Sequence, residues 1–194
     1  MYTPETEAKP RFMDRLADFL GKSRLILLAV LIALLALVIA YFGFTEWQRR
    51  AGERSASLAE QAQDLFQQWQ QEQDESKRKA DEQKLRELLD RIVSKYPRQY
   101  AAQRALYLKA SLAYENKLWQ EAAESYESLI KSFPRSYLAE ISLVAAAVCY
   151  EQAGDAQAAI GAYERLNERY NSSFLLPHAL FSLGRLHELA GDFP

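Results

Sequence analysis

The side chains that most often do chemistry are few in this chain, and they lie apart. The two histidines, His178 and His187, are nine residues apart. On a helix of about 3.6 residues per turn they point to opposite sides, so they could not share a metal ion or a substrate. The single cysteine, Cys149, cannot form an intramolecular disulfide, and free cysteines are usually buried as small apolar residues. We therefore predict no catalytic residues, no metal site and no enzyme activity.

Glycine usage and charge argue against further classes of function. The chain has seven glycines but no G-x-G-x-x-G or G-x-x-x-x-G-K pattern that would cradle a phosphate group. It carries 24 Lys and Arg against 26 Asp and Glu, a formal net charge of -2. Nucleic-acid binders normally show a basic face. The sequence thus predicts no cofactor, no nucleic-acid partner and no small-molecule substrate.

The elements of the chain repeat at a spacing of 37 residues. The matching positions are Tyr96, Phe133 and Tyr170; Trp119, Ala156 and Phe193; Ala122 and Ala159; Tyr126 and Tyr163; and Ala113, Tyr150 and His187. A repeat of this length predicts stacked helical hairpins. One hairpin cannot bury its apolar face alone, so neighbours stack and form an extended surface whose usual role is to hold other polypeptides. We expect binding and not catalysis.

Breaks in the pattern predict where the hairpins lie. Residues 45–84 are predicted to form a helical connector and the first helix of a degenerate repeat, with 72–84 as a solvated helix end and connector. Residues 85–93 form its second helix, which ends before Pro97. The next hairpins pair 101–114 with 120–133 and 136–151 with 156–170. Gly154 suits a left-handed C-cap and Asp155 an N-cap.

The repeats therefore occupy residues 85–194, and the last hairpin is incomplete. Its first helix begins at Leu176, with Pro177 in the first turn, and reaches Gly191. An array normally ends in a polar cap. We expect either that the chain is a fragment of a longer protein or that its last helix packs on another subunit.

Residues 25–44 form an unbroken apolar stretch of 20 residues, long enough to cross a hydrocarbon core of about 30 Å as a helix. A cleaved signal peptide is the alternative, but its apolar core is normally shorter, about 7 to 15 residues. Five basic residues precede the stretch and three follow it by residue 54. This bias predicts a cytoplasmic N-terminal segment, residues 1–24, with the repeats on the outer side of the membrane.

The repeat residues resemble the tetratricopeptide repeat family. The resemblance rests on alanines and aromatics at the family's helix positions and on closing prolines: Leu106, Ala110, Ala113, Ala122, Tyr126, Leu143, Ala147, Tyr150, Ala159, Tyr163, Leu180, Gly184 and His187, with Pro97 and Pro134. It implies an α-solenoid, so that together with the apolar stretch 25–44 the sequence predicts an all-α fold in which a single N-terminal transmembrane helix is followed by the repeats. The longer loop between units is similar to that of the family's bacterial envelope branch, which includes CpoB-like and BamD-like proteins.

The N-terminal part is similar to the YfgM-like ancillary subunits of the SecYEG translocon. The similarity rests on a short basic N-terminus, one membrane helix, aromatic residues after it and the segment 54–59. It implies a scaffold at the periplasmic face of the bacterial inner membrane, with translocon subunits, periplasmic chaperones or exported chains as partners. A scaffold for envelope assembly or cell division, or a structural protein that self-associates, remains open.

In this family the first helix of each hairpin lines a peptide-binding groove. The resemblance places three sets of residues there, which we call the groove face: Arg104, Tyr107, Ser111 and Tyr114; Ile141, Val144, Val148 and Glu151; and His178, Phe181, Arg185 and Glu188. Large aromatic anchors suit extended or helical peptides. Tyr107 and Ser111 replace the Lys and Asn that clamp a peptide carboxylate, which argues against that mode. We expect about half of the groove face to be buried between helices.

Overall fold

The computed structural model describes the backbone of residues 12–191 and the side chains of residues 28–191. Within this range the chain is helical and contains no strand, so the all-α prediction is confirmed. The helices are α1 (Phe12–Gln71), α2 (Glu75–Lys95), α3 (Tyr100–Glu115), α4 (Trp119–Ser132), α5 (Tyr137–Ala153), α6 (Ala156–Arg169) and α7 (Leu176–Ala190). The predicted segment 1–24 lies outside the described side chains, and only its residues 12–24 have a described backbone.

The chain divides into two compact units, residues 1–50 and 51–194. In the first unit the described apolar side chains are exposed, with Leu37 66% and Phe42 65% accessible. A soluble protein would bury such a surface, because each leucine left in water forgoes about 1.5–3 kcal/mol. Among the described residues, one helix is long and apolar enough to cross a membrane, and it includes this stretch.

The second unit is a series of antiparallel helical hairpins. Each helix from α2 onward packs against the next along the chain, and α3 also contacts α5. The buried core runs through the hairpins as a chain of clusters, from Ala62 and Trp69 of α1 to Leu186 of α7. Small residues stand where helices cross: Ala110, Ala113, Ala122, Ala147 and Ala159 are all fully buried. Two pairs of these alanines, Ala110 with Ala147 and Ala122 with Ala159, recur at the spacing of 37 residues, which close packing explains.

The first hairpin differs from its prediction. Its second helix begins at Glu75 and not at residue 85, so only residues 72–74 form the turn. Asp74 caps the helix by accepting from the Lys77 N–H at 3.0 Å, as a short acidic side chain at an N-terminus should. Asp81 is buried and accepts from Gln68 Nε2 at 3.0 Å. The polar stretch is thus a helical part of the hairpin, mostly facing solvent, and not a connector.

The later turns form as the sequence indicates. Gly154 adopts φ 80° at the C-terminus of α5, and Asp155 caps α6 by accepting from the Ala158 N–H at 3.0 Å. Gly191 closes α7 in the same left-handed conformation, φ 76°. Such values of φ are open to glycine at little steric cost. The turn before α4 has no glycine, and there Lys117 takes a positive φ of 59°.

Candidate functional site

The groove face lies on α3, α5 and α7, the first helices of successive hairpins. None of its twelve side chains is buried in the structure, so the expectation that about half would be buried is wrong. Those of α3 and α5 are half-buried apart from the exposed Tyr114, whereas His178, Phe181, Arg185 and Glu188 of α7 are exposed. The face is therefore an accessible surface, and its most accessible aromatic ring is Phe181, at 74%.

Several groove-face residues are held by contacts within the repeats. The ring of Tyr107 meets Tyr126 of α4 edge-on, with centroids 5.7 Å apart. Ser111 donates to the Tyr107 carbonyl at 2.9 Å, which satisfies its hydroxyl inside α3. Tyr114 packs edge-on against Trp119 at 5.1 Å. Side chains fixed in this way lose little conformational entropy when a partner binds, which favours binding.

Two charged residues of the groove face, Glu151 and Arg185, already have partners within the protein. Glu151 accepts hydrogen bonds from Tyr163 of α6, at 2.8 Å, and from Arg185 of α7. Burial raises the pKa of the Tyr163 hydroxyl to about 12, so it stays a donor at neutral pH. The hydrogen bond that Arg185 donates to Glu151 raises the pKa of Arg185. These two charges neutralise each other and hold α7 to α5, so apolar and aromatic groups remain as the main contacts for a partner.

Sequence reasoning missed a further row of aromatic residues. Tyr100, Tyr137 and Phe174 follow the same spacing of 37 residues and are exposed by 53%, 62% and 81%. Tyr100 and Tyr137 are the first residues of α3 and α5, and their hydroxyl oxygens are 3.3 Å apart. They lie two turns before Tyr107 and Val144 on the same side of each helix. The repeat spacing was the signal that could have found them.

A comparison with protein families agrees with this geometry. The model of a tetratricopeptide repeat-like domain matches residues 26–178, well over half of the chain. The chain belongs to this family. The matched range begins inside the apolar stretch and ends within α7. No curated protein matches the chain.

The second helices of this tetratricopeptide repeat-like array present a different surface. Arg86 of α2 pairs with Glu121 of α4, and Arg165 of α6 pairs with Glu127 of α4. The Glu127 hydrogen bond raises the pKa of Arg165 and holds its positive charge. On this side charges are neutralised between neighbouring repeats. The groove face differs from this side in carrying aromatic and aliphatic side chains, together with one ion pair, Glu151–Arg185.

Groups that could carry catalysis are separated in the fold as well. Among the described residues, no group of three or more His, Cys, Asp and Glu side chains could hold a metal ion. Cys149 is buried, and burial raises the pKa of its thiol to about 11, which keeps it protonated at neutral pH. A protonated thiol is a poor nucleophile. Tetratricopeptide repeat-like domains are typically non-catalytic scaffolds for protein–protein interaction.

Proposed function

We propose that this protein is a membrane-anchored scaffold that binds other polypeptides through its groove face. The observation that carries the proposal is the series Tyr107, Val144 and Phe181, one residue per repeat at a spacing of 37, in which Tyr107 and Val144 are half-buried and Phe181 is exposed. A partner in contact with all three would bury aromatic and aliphatic anchors across three hairpins, the kind of contact that dominates binding energy. The apolar stretch of the first unit would supply the anchor.

The partners we propose are translocon subunits, periplasmic chaperones or newly exported chains, at the periplasmic face of a bacterial inner membrane. Support comes from the excess of basic residues before the apolar stretch, which favours a cytoplasmic N-terminus, and from the similarity of the N-terminal part to translocon-associated proteins. A groove without the Lys and Asn of a carboxylate clamp suits internal or extended segments better than C-terminal tails.

Site-specific photo-crosslinking in intact cells tests this function. A photoreactive amino acid replaces Tyr107 or Val144, and adducts are identified by mass spectrometry. The matched controls are Gln120 and Glu164, which are exposed on the second helices α4 and α6. Adducts to translocon subunits, chaperones or exported chains from the groove face alone would support the proposal. Adducts only to division or outer-membrane assembly proteins would show that the proposed partners are wrong. Adducts to cytosolic proteins would show that the proposed orientation is wrong.

A second candidate is self-association through α7. Leu180 and Gly184 are exposed, although the equivalent Leu143 and Ala147 of α5 are buried beneath α6. The mass of the detergent-solubilised protein tests this. A dimer that Leu180→Glu dissociates would favour a structural protein, provided that Leu118→Glu, an equally exposed leucine at a turn, has no effect. A monomer would exclude self-association and leave the peptide-binding scaffold as the remaining candidate.

A further inference from the structure

The loops between successive hairpins lie together along one edge of the repeat unit. We define the loop edge as residues 94–100, 131–137 and 169–175. Contacts between neighbouring repeats join its parts: the Tyr100 and Tyr137 hydroxyls are 3.3 Å apart, and Tyr170 Oη donates to the Pro134 carbonyl at 2.7 Å. The hairpins are antiparallel, so the turns at 72–74, 116–118 and 154–155 lie at the opposite edge.

Charge is distributed unequally between the two edges. The loop edge contains five basic residues and no acidic one: Lys95, Arg98, Lys131, Arg135 and Arg169. The turns at the opposite edge contain three acidic residues and one basic one: Glu72, Asp74, Asp155 and Lys117. A chain with a net charge of -2 therefore has a locally basic surface.

The basic side chains of the loop edge are not neutralised by the protein. All five are exposed, and within the described residues none lies within salt-bridge distance of a carboxylate. Elsewhere in the repeats, Arg86, Lys109, Arg165 and Arg185 each have an acidic partner. The loop edge thus carries five positive charges that are available to an outside anion, although single exposed basic residues elsewhere in the described part of the chain, such as Lys77 and Lys117, also have no salt bridge.

Three exposed aromatic rings accompany these charges. Tyr100, Tyr137 and Phe174 each stand at or just before the start of a first helix. Because side chains on a helix lean toward its N-terminus, the two tyrosines point back to the loops. Arginine or lysine beside exposed aromatic rings is the combination found where proteins meet the headgroup layer of a membrane.

The chain enters the repeat unit at this same edge. Gly52 lies at the start of the unit, and a Cβ there would be 3.9 Å from Gln99 Oε1 in the first loop. Gly52 follows Phe44, the last residue of the apolar stretch, by eight positions. A fully extended chain of this length spans at most about 29 Å. If the stretch is anchored as proposed above, the chain at Gly52 can lie no farther than this length from the end of the apolar stretch.

We propose that the loop edge binds the surface of an anionic phospholipid bilayer. The arginines and lysines contact lipid phosphates, and Tyr100, Tyr137 and Phe174 enter the headgroup layer. This inference rests on the membrane anchoring in the proposed function. Binding at the edge fixes the orientation of the array and leaves the groove face, two turns away along the first helices, open to polypeptides. An acidic protein segment is the rival occupant.

Energy transfer in nanodiscs tests the proposal with the full chain. A donor dye is attached at Ser132→Cys on the loop edge, in a Cys149→Ala background, and the acceptor is a headgroup-labelled lipid. Discs of phosphatidylcholine alone are compared with discs rich in phosphatidylglycerol. We expect transfer to rise with phosphatidylglycerol and to fall again when salt screens the charges. A dye at Gln73→Cys, at the opposite edge, should show no rise.

Charge-reversed variants separate lipid binding from mere tethering. Each basic residue lost should weaken attraction to the anionic surface about fivefold, so R98E/R135E should abolish the rise. K77E/K117E makes the same charge change on exposed residues away from the loop edge and should keep it. Equal transfer in both lipids would overturn the proposal. A chain that does not insert into the discs would also overturn the proposal. If the R98E/R135E variant instead loses crosslinks to an acidic protein, the loop edge binds that protein and not lipid.

Failure of lipid binding by the loop edge can be distinguished from failure of the proposed scaffold function. R98E/R135E should retain the protein adducts formed from Tyr107, since the groove face is unchanged. A wild-type chain that responds to phosphatidylglycerol but forms no adducts from Tyr107 or Val144 would remove the scaffold function alone.

Discussion

Arg185 of α7 donates a hydrogen bond to Glu151 of α5 and thereby joins two first helices that are separated in the chain by α6. The second carboxylate oxygen of Glu151 accepts from Tyr163 of α6 at 2.8 Å. One half-buried carboxylate therefore binds three consecutive helices together. Among the described helices, α7 packs extensively against α6 only. The Glu151–Arg185 hydrogen bond therefore adds a second attachment, from α7 to α5.

Replacing Glu151 by Gln should loosen α7. The amide can still accept from Tyr163, but the charged acceptor of Arg185 is lost. Because Arg185 is partly exposed, we expect a loss of about 0.5–1 kcal/mol in the free energy of unfolding, with faster amide exchange in α7. Urea unfolding and hydrogen exchange measure the two effects. Glu164→Gln, an exposed carboxylate on α6, is the control, and an equal effect there would contradict the argument.

Gly184 and Ala147 occupy equivalent repeat positions in different surroundings. Apart from the adjacent residues and the nearby backbone of α7 itself, no atom lies within 4 Å of a Cβ built on Gly184, whereas Ala147 is fully buried. Gly184→Ala should therefore stabilise the protein by about 0.5–1 kcal/mol through helix propensity alone. Ala147→Gly should destabilise it by at least about 1 kcal/mol. Urea unfolding tests both, and a destabilising Gly184→Ala would indicate that another helix contacts α7 closely.

The sequence predicted those features of the fold that depend on local chemistry or on repetition. Gly154 and Asp155 mark a turn because a left-handed residue and an N-cap have residue preferences of their own. The alanines repeat because helix crossings demand small residues. The start of α2 at Glu75 was missed because residues 75–84 expose a polar surface without an apolar stripe, and the burial of Asp81 depends on Gln68 from another helix.

The groove face was predicted less completely. Family resemblance placed its residues on the first helices, but their accessibility depends on how α3, α5 and α7 are spaced, which no local pattern encodes. The 37-residue spacing could have revealed Tyr100, Tyr137 and Phe174. The Glu151–Arg185 pair is harder to predict from the sequence, since the partners are 34 positions apart and occupy different turns of their helices.

Stability should fall at alkaline pH. Burial raises the pKa of Cys149 from 9.0 to about 11 and that of Tyr163 from 10.0 to about 12. Each folded pKa lies above the ordinary value, so the folded state keeps protons that the unfolded chain has lost. The stabilisation is complete below pH 9 and disappears as pH rises toward 12. Unfolding measured across this range should show the decline, and Cys149→Ala should move its onset upward by about one pH unit.

The proposed orientation places the repeats outside the inner membrane, in keeping with the excess of basic residues before the apolar stretch. In a Cys149→Ala background, a cysteine at Ser57 should react with a membrane-impermeant maleimide added outside the inner membrane, since Ser57 is exposed on α1. A cysteine at Thr3, in the predicted cytoplasmic segment, should react only after the membrane is lysed. The reverse pattern would place the repeats in the cytoplasm and remove periplasmic partners from the proposal.

The apolar stretch should behave as an uncleaved anchor. An aspartate at the centre of a membrane helix costs about 2.5–3.5 kcal/mol, so Leu34→Asp with Leu35→Asp should move the protein from the carbonate-resistant membrane fraction to the soluble one. Leu118→Asp places the same charge on an exposed leucine of the repeat unit and should leave the protein membrane-bound. The intact mass of the purified protein decides between anchor and signal peptide. A mass that includes residues 25–44 requires an anchor, whereas a product without them would show that the repeats are released and would remove the tether on which binding of the loop edge to lipid depends.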